Sequence, residues 1–169
     1  MFFRFRKKKP FELAYTTALN AIVDGNNKKA LKILRNIVTQ NTNHVNAYLQ
    51  MGNILRKEGN IKGAIKIHQS LTVRPNLDKT TKKEIHKSLA LDFIESSQFI
   101  KAENEVKYVL KFEKKNLWAN ELLLKIYDKK EQWDEALKIC KIIQRIKNEK
   151  KPHKIARYFS LQGKKELEN

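Results

Sequence analysis

The chain has 169 residues, with 36 Lys+Arg against 18 Asp+Glu and a formal net charge of +18, and its 41% hydrophobic residues are enough to build a core rather than a disordered coil. Five glycines and three prolines are too few for a sandwich, a barrel or a glycine-rich nucleotide-binding fold. The one cysteine excludes an internal disulfide or a cysteine metal cluster and suits a reducing compartment, and no apolar run nears the roughly 20 residues that cross a bilayer.

Residues 1–10 are short, basic and aromatic, with Arg4, Arg6, Lys7, Lys8 and Lys9 set among Phe2, Phe3 and Phe5. They lack the long apolar stretch and small-residue cleavage site of a signal peptide. From there the apolar period is helical throughout. It predicts helices over about 11–23, 28–40, 44–57, 61–73, 79–95, 99–112, 117–129, 134–147 and 153–162, followed by a polar tail at 163–169.

The helices repeat. Lys28-Lys29-Ala30-Leu31-Lys32-Ile33 returns as Lys62-Gly63-Ala64-Ile65-Lys66-Ile67, loosely as Ile100-Lys101-Ala102-Glu103, and again as Asp134-Glu135-Ala136-Leu137-Lys138-Ile139. The alanines Ala30, Ala64, Ala102 and Ala136 are 34, 38 and 34 residues apart, and a fixed alanine every 34 residues is the tetratricopeptide-repeat (TPR) spacing. The four extra residues of the middle interval equal about one helical turn, so they lengthen the third repeat's first helix without moving its buried face. Asp78 suits its N-cap. Upstream of each alanine, Ala18, Gly52, Ala90 and Leu124 hold one position on the first helix, where two backbones approach closely. Leu124 is large for that place and predicts a looser fourth pair. Short turns at Asp24-Gly25-Asn26, Glu58-Gly59-Asn60, Glu95-Ser96-Ser97 and Lys129-Lys130-Glu131 join the pairs.

The expected architecture is therefore an all-α TPR solenoid of four helix pairs and a terminal helix. Its domain covers residues 11–162, with repeats at about 11–44, 45–78, 79–116 and 117–150 and a terminal helix at 152–162 that caps the last apolar face.

No catalytic constellation emerges. His44, His68, His86 and His153 have no neighbour at metal-ligand spacing, so no metal or cofactor is expected. His68 and Cys140 fall at inward-facing positions of second helices and read as core. Glu103 and Glu105 read as solvated helix surface. A TPR array works by shape instead. The first helices line a concave groove, with candidate contacts at Tyr15, Leu19 and Ile22 in the first repeat and at Asn46, Leu49, Asn53 and Arg56 in the second. Lys87, Leu91 and Ile94 follow in the third, and Trp118, Glu121, Lys125 and Asp128 in the fourth. Asn53 and Arg56 share one helix face; Asn can clamp a peptide amide and Arg can grip a carboxylate. A receptor for chaperone tails is not expected, because only Asn53 matches the basic carboxylate clamp of that subtype.

The basic excess is lysine- and asparagine-rich, which fits an A+T-biased coding sequence as well as it fits an acidic partner. A second basic run joins Arg145, Lys147, Lys150, Lys151, Lys154 and Arg157. Stacking aromatics for nucleic acid are absent outside the N-terminus, so specific nucleic-acid binding is not expected. The N-terminal segment suits weak contact with an anionic membrane. A basic binder of anionic surfaces, membrane or nucleic acid, is the alternative to the groove.

The second repeat is more specific. Gly52-Asn53-Ile54-Leu55-Arg56-Lys57-Glu58-Gly59-Asn60-Ile61-Lys62-Gly63-Ala64-Ile65-Lys66-Ile67-His68-Gln69 resembles the G-N-x-x-R-x-x-G-x-x-x-x-A-I-x-I-H-Q signature of the lipopolysaccharide assembly protein B family. Leu91-Asp92-Phe93, Leu123-Leu124-Lys125-Ile126-Tyr127 and Lys154-Ile155-Ala156-Arg157-Tyr158-Phe159 are similar to further segments of its array. The resemblance runs over about residues 11–160 and corresponds to the front half of that array. It implies a non-enzymatic adaptor on the cytoplasmic side of the inner membrane, coupling lipopolysaccharide-synthesis enzymes to a membrane-bound AAA+ protease. The family's membrane helix and four-cysteine metal ribbon have no counterpart in these residues.

Overall fold

A computed structural model describes residues 10–168. Among the described residues there are nine α-helices and no strand. They are α1 (Pro10–Val23), α2 (Asn27–Gln40), α3 (Val45–Lys57), α4 (Ile61–Thr72), α5 (Lys79–Glu95), α6 (Phe99–Phe112), α7 (Leu117–Lys129), α8 (Trp133–Lys147) and α9 (Pro152–Glu168). The first eight lie within about one residue of the expected bounds. The ninth does not. Most of the stretch expected as a polar tail at 163–169 is helical, through Glu168. Lys164, Lys165, Glu166 and Leu167 are good helix formers, and Gly163 alone costs only about 1 kcal/mol. Two bonds to the start of α8 hold the extension: Gln162 Nε2 donates to Asp134 Oδ1 at 2.5 Å and Lys165 Nζ to the Glu131 carbonyl at 3.0 Å.

The chain divides into two compact units, the first ending at Asn76 and the second beginning at Leu77. The six-residue connection from α4 to α5 holds Pro75, which offers no amide hydrogen, and Asn76, which sits at φ 58°.

In the first unit α1 packs on α2 and α3 on α4, with α2 also against α3. Ala18, Ala21, Ala30, Leu34, Ile37, Val38, Ala47 and Ile54 form the core, flanked by Phe11, Tyr15, Ile22 and Met51. Fully burying a side chain such as Leu34 or Ile54 stabilises by about 1.5–3 kcal/mol. The second helices start on asparagine caps: Asn26 Oδ1 accepts from the Lys29 amide and Asn60 Oδ1 from the Gly63 amide, both at 3.0 Å. The first helix of the second pair uses His44, whose Nδ1 accepts from the Ala47 amide at 3.1 Å.

Ala64 is fully buried, as the repeat register requires. What lies over Gly52, however, is the ring of His68. A Cβ at position 52 would stand 2.3 Å from His68 Nε2 and 2.7 Å from Cε1. The ring is completely buried, and Nε2 lies 3.2 Å from the Leu49 carbonyl. Gly52 thus makes room for an imidazole that bridges to the partner helix.

In the second unit the core is Ile85, Leu89, Ala90 and Phe93 of α5, Ala102, Val106 and Val109 of α6, Leu123, Ile126 and Tyr127 of α7, and Ala136, Leu137 and Cys140 of α8. Tyr158 of α9 is buried with them. Asp78 caps α5, accepting from the Thr81 amide at 2.8 Å, and Asn116 caps α7 through the Ala119 amide at 2.9 Å. Leu124 is accommodated half-buried, and α7 and α8 still pack on each other. Glu103 is not mere solvated surface. Its side chain, 12% exposed, ties α6 to α7 by accepting from Lys130 Nζ at 2.5 Å and Tyr127 OH at 3.1 Å, with Lys107 Nζ at 2.6 Å on its own helix. Burial pushes the carboxyl up, but the hydrogen bonds from Lys107, Lys130 and Tyr127 outweigh it and hold it below the usual glutamate value.

Each intra-pair turn needs a residue with positive φ. Gly25 at 73° and Gly59 at 80° meet that need without steric cost. At the same place in the second unit stand Ser97 at 57° and Glu131 at 53°, which carry the left-handed penalty of a Cβ.

Three measurements check this account. Gly52→Ala should lower stability by about 1–3 kcal/mol through overpacking, and in the Gly52→Ala/His68→Ala double variant the two losses should be less than additive. Additive losses in denaturant melts would mean that the methyl and the ring do not meet. Ser97→Gly should raise stability by about 1 kcal/mol; an unchanged or lower midpoint counts against strain in that turn. Because its folded pKa is depressed, Glu103 contributes stability above the unfolded value of about 4.3 and loses it as pH falls through the lower folded value. Glu103→Gln should therefore be less stable than the native chain at pH 7, with the difference shrinking below about pH 4 in parallel melts.

Candidate functional site

The candidate contacts lie on α1 and α3 in the first unit and on α5 and α7 in the second. On α1, Tyr15 is half-buried and its ring meets His44 at 4.9 Å between centroids. Burial pushes its hydroxyl pKa up, against a hydrogen bond with Gln50. Leu19 and Ile22 are half-buried beside it. On α3, Asn46 is exposed, while Leu49 keeps 8% of its surface and belongs to the core. One turn on, Arg56 Nη2 donates to Asn53 Oδ1 at 3.0 Å, with both side chains half-buried. The i, i+3 spacing therefore brings these two groups together as one polar feature, with Arg56 orienting the amide of Asn53.

In the second unit, Lys87 of α5 is held on both sides. Its Nζ donates to Glu84 Oε1 at 2.8 Å and stands 5.4 Å from the centre of the Trp118 ring. Leu91 and Ile94 are half-buried. On α7, Glu121 accepts from Lys147 Nζ of α8 at 2.6 Å, and Lys125 is exposed. Asp128 faces the terminal helix: Tyr158 OH donates to its Oδ2 at 3.3 Å. Burial first, then this bond, pushes the Tyr158 hydroxyl pKa far up. Asp128 thus anchors α9.

One cluster escaped the sequence reading. His86 of α5 lies 2.5 Å through Nδ1 from Glu105 Oε2 of α6, and its ring stacks on Tyr108 at 3.6 Å. The residues are 19 and 22 positions apart, so only the helix pairing itself could have joined them. Cys140 is buried, its thiol pKa pushed up by burial, with Gln144 Nε2 3.9 Å from the sulfur. Among the described residues no three His, Cys, Asp or Glu side chains come together in a metal-holding group.

The basic segment Arg4, Arg6, Lys7, Lys8 and Lys9 lies outside the described residues. The second basic run is partly neutralised: besides Lys147–Glu121, Lys151 Nζ is 2.6 Å from Glu149 Oε2. No helix among the described residues is long and apolar enough to cross a membrane.

No family model matches the chain. It is 23% identical over 145 residues to lipopolysaccharide assembly protein B of Escherichia coli K12, covering 86% of this chain and 37% of that protein. The Haemophilus influenzae protein of the same name is 27% identical over 155 residues, covering 86% of this chain and 39% of that one. The chain thus spans about two fifths of the length of these relatives. Among solved structures, a TPR protein from Parabacteroides merdae superposes with a TM-score of 0.77 at 14% identity, over 91% of this chain and 60% of that one. A MamA double mutant from strain RS-1 gives 0.73 at 17% identity, over 94% and 95%. The 34-residue period, the paired helices and these likenesses together make the chain a tetratricopeptide-repeat protein related in sequence to lipopolysaccharide assembly protein B.

Proposed function

We propose that the chain is a non-enzymatic adaptor that holds an extended segment of a protein partner on the first helices of its repeats. The observation that carries this reading is the Asn53–Arg56 pair on α3, a half-buried amide oriented by a guanidinium. An amide is the group type that pairs with a peptide backbone, and a guanidinium the type that pairs with a carboxylate. Tyr15 and Leu19 supply an apolar edge in the same unit. In the second unit Lys87 over Trp118, with Glu121 and Lys125, provides a charged stretch. Leu49 and Asp128 are left out, since one is core and the other is committed to α9.

The kinship with lipopolysaccharide assembly protein B supports a role in regulating lipopolysaccharide synthesis at the cytoplasmic side of the inner membrane. Its partners there are lipopolysaccharide-synthesis enzymes and a membrane-bound AAA+ protease.

The test is capture of peptides from candidate partners by the immobilised full chain at about 0.5 M salt, where exposed charges are screened. Asn53→Ala/Arg56→Ala should lose capture by tenfold or more, about 1.4 kcal/mol, while keeping its helical circular dichroism. Equal capture by the double variant removes this pair from the site.

A further inference from the structure

The charge of the first unit is distributed unlike that of the second. From Gly25 to Asn76 there are nine Lys and Arg residues and one carboxylate, Glu58. Glu58 is engaged at the turn, accepting from Asn27 Nδ2 at 2.5 Å. Helices α2 and α4 contain no acidic residue at all. Their exposed positions are Lys28, Lys29, Lys32, Arg35, Asn36, Thr39 and Gln40 on α2, and Lys62, Lys66, Gln69, Ser70 and Thr72 on α4. In the second unit, by contrast, lysines meet carboxylates, as in Lys83–Glu113, Lys130–Glu103, Lys138–Glu135 and Lys147–Glu121.

The cations of the first unit form a pattern. Lys28, Lys32 and Arg35 follow each other at i, i+4, i+7 along one face of α2, and Lys62 and Lys66 repeat the first two after 34 residues on α4. The repeat register gives these pairs equivalent places on successive second helices. For helix stability the arrangement is unfavourable. Like charges at i, i+4 repel, and the first turns of α2 and α4 hold cations where the helix dipole favours anions. The last turns, where cations would be favourable, hold none.

The surface also lacks what a desolvated protein interface uses. The exposed positions of α2 and α4 hold no aromatic or aliphatic anchor to fill a pocket. There is no ring for base stacking, and lysine outnumbers arginine, so bidentate or stacked nucleic-acid recognition has no instrument here. What remains is a set of exposed cations, all but one of them lysine ammonium groups, complementary to a layer of diffuse negative charge. We infer that the face made by Lys28, Lys32, Arg35, Lys62 and Lys66 on the second helices α2 and α4 is a docking surface for an anionic lipid bilayer. It leaves the first helices to the protein partner.

The test is co-sedimentation of the full chain with vesicles of phosphatidylglycerol and phosphatidylcholine, about one to three, at about 50 mM salt. Lys28→Gln/Lys32→Gln/Lys62→Gln/Lys66→Gln is compared with Lys111→Gln/Lys114→Gln/Lys115→Gln/Lys129→Gln, which removes the same charge from exposed positions of the second unit. Each lysine near the surface is worth about fivefold in partition, so the first variant should bind at least 50-fold more weakly than the native chain. The second should lose less than about fivefold, with both keeping native circular dichroism. Equal loss in both variants overturns the proposal in favour of net charge alone. It is also overturned if the first variant binds like the native chain, or if the native chain ignores these vesicles. Duplex DNA or single-stranded RNA binding tighter than the vesicles at the same salt, and lost with the same four lysines, would reassign the face to nucleic acid.

Discussion

Ala30, Ala64, Ala102 and Ala136 have no exposed surface, and each is the fourth residue of a second helix, on its buried side. The distance at which two helices can pack depends on the side chains between them, and alanine permits a close approach. That approach lets Leu34, Leu71, Val106 and Val109 be buried by helices of only 12 to 14 residues. Isolated helices of that length are marginal in water, so the pairing supports the helices as much as the reverse. The short turns follow from the same constraint. Two helices held closely must be joined by few residues, and the chain must reverse through a left-handed residue at Gly25, Gly59, Ser97 and Glu131.

The two units solve their polar problems differently. The first uses neutral groups: asparagine caps, a histidine cap at His44, and an imidazole bridging α4 to a carbonyl of α3. The second uses charge, with Glu103 fastening α6 to α7 and Asp128 receiving Tyr158 from α9. Charged ties inside the second unit engage several of its carboxylates and lysines. Neutral ties inside the first leave the lysines of α2 and α4 to the outside. The division between structural and surface charge thus accompanies the boundary between Asn76 and Leu77.

The helices were legible because period and punctuation agreed: the alanine spacing, the two Gly-Asn turns and Asp78 all fell where the backbone has them. The four-residue insertion was readable for the same reason, since it preserves helical phase. The end of α9 was not, because Gly163 and a run of charged residues look the same in a frayed tail and in a helix held by two bonds from Gln162 and Lys165. Of the candidate contacts, Asn53 and Arg56 could be joined from spacing alone, being on one helix. Leu49 was misread because its neighbours on α3 are half-buried and a helix face grades into the core within one residue. Asp128 and the His86–Glu105 contact depend on a second helix, and local sequence carries no record of which side chains meet across a pair.

The fit of His68 over Gly52 also orders the routes by which this repeat can change. A larger residue at position 52 meets the ring before anything else has moved, 2.3 Å from Nε2 at its first carbon. A smaller residue at position 68 leaves a void of imidazole size and takes away the side-chain partner of the Leu49 carbonyl, a loss the fold can partly relax around. Drift away from the pair is therefore directional. The ring has to go first and the glycine second, and a lineage that keeps the histidine keeps the glycine with it.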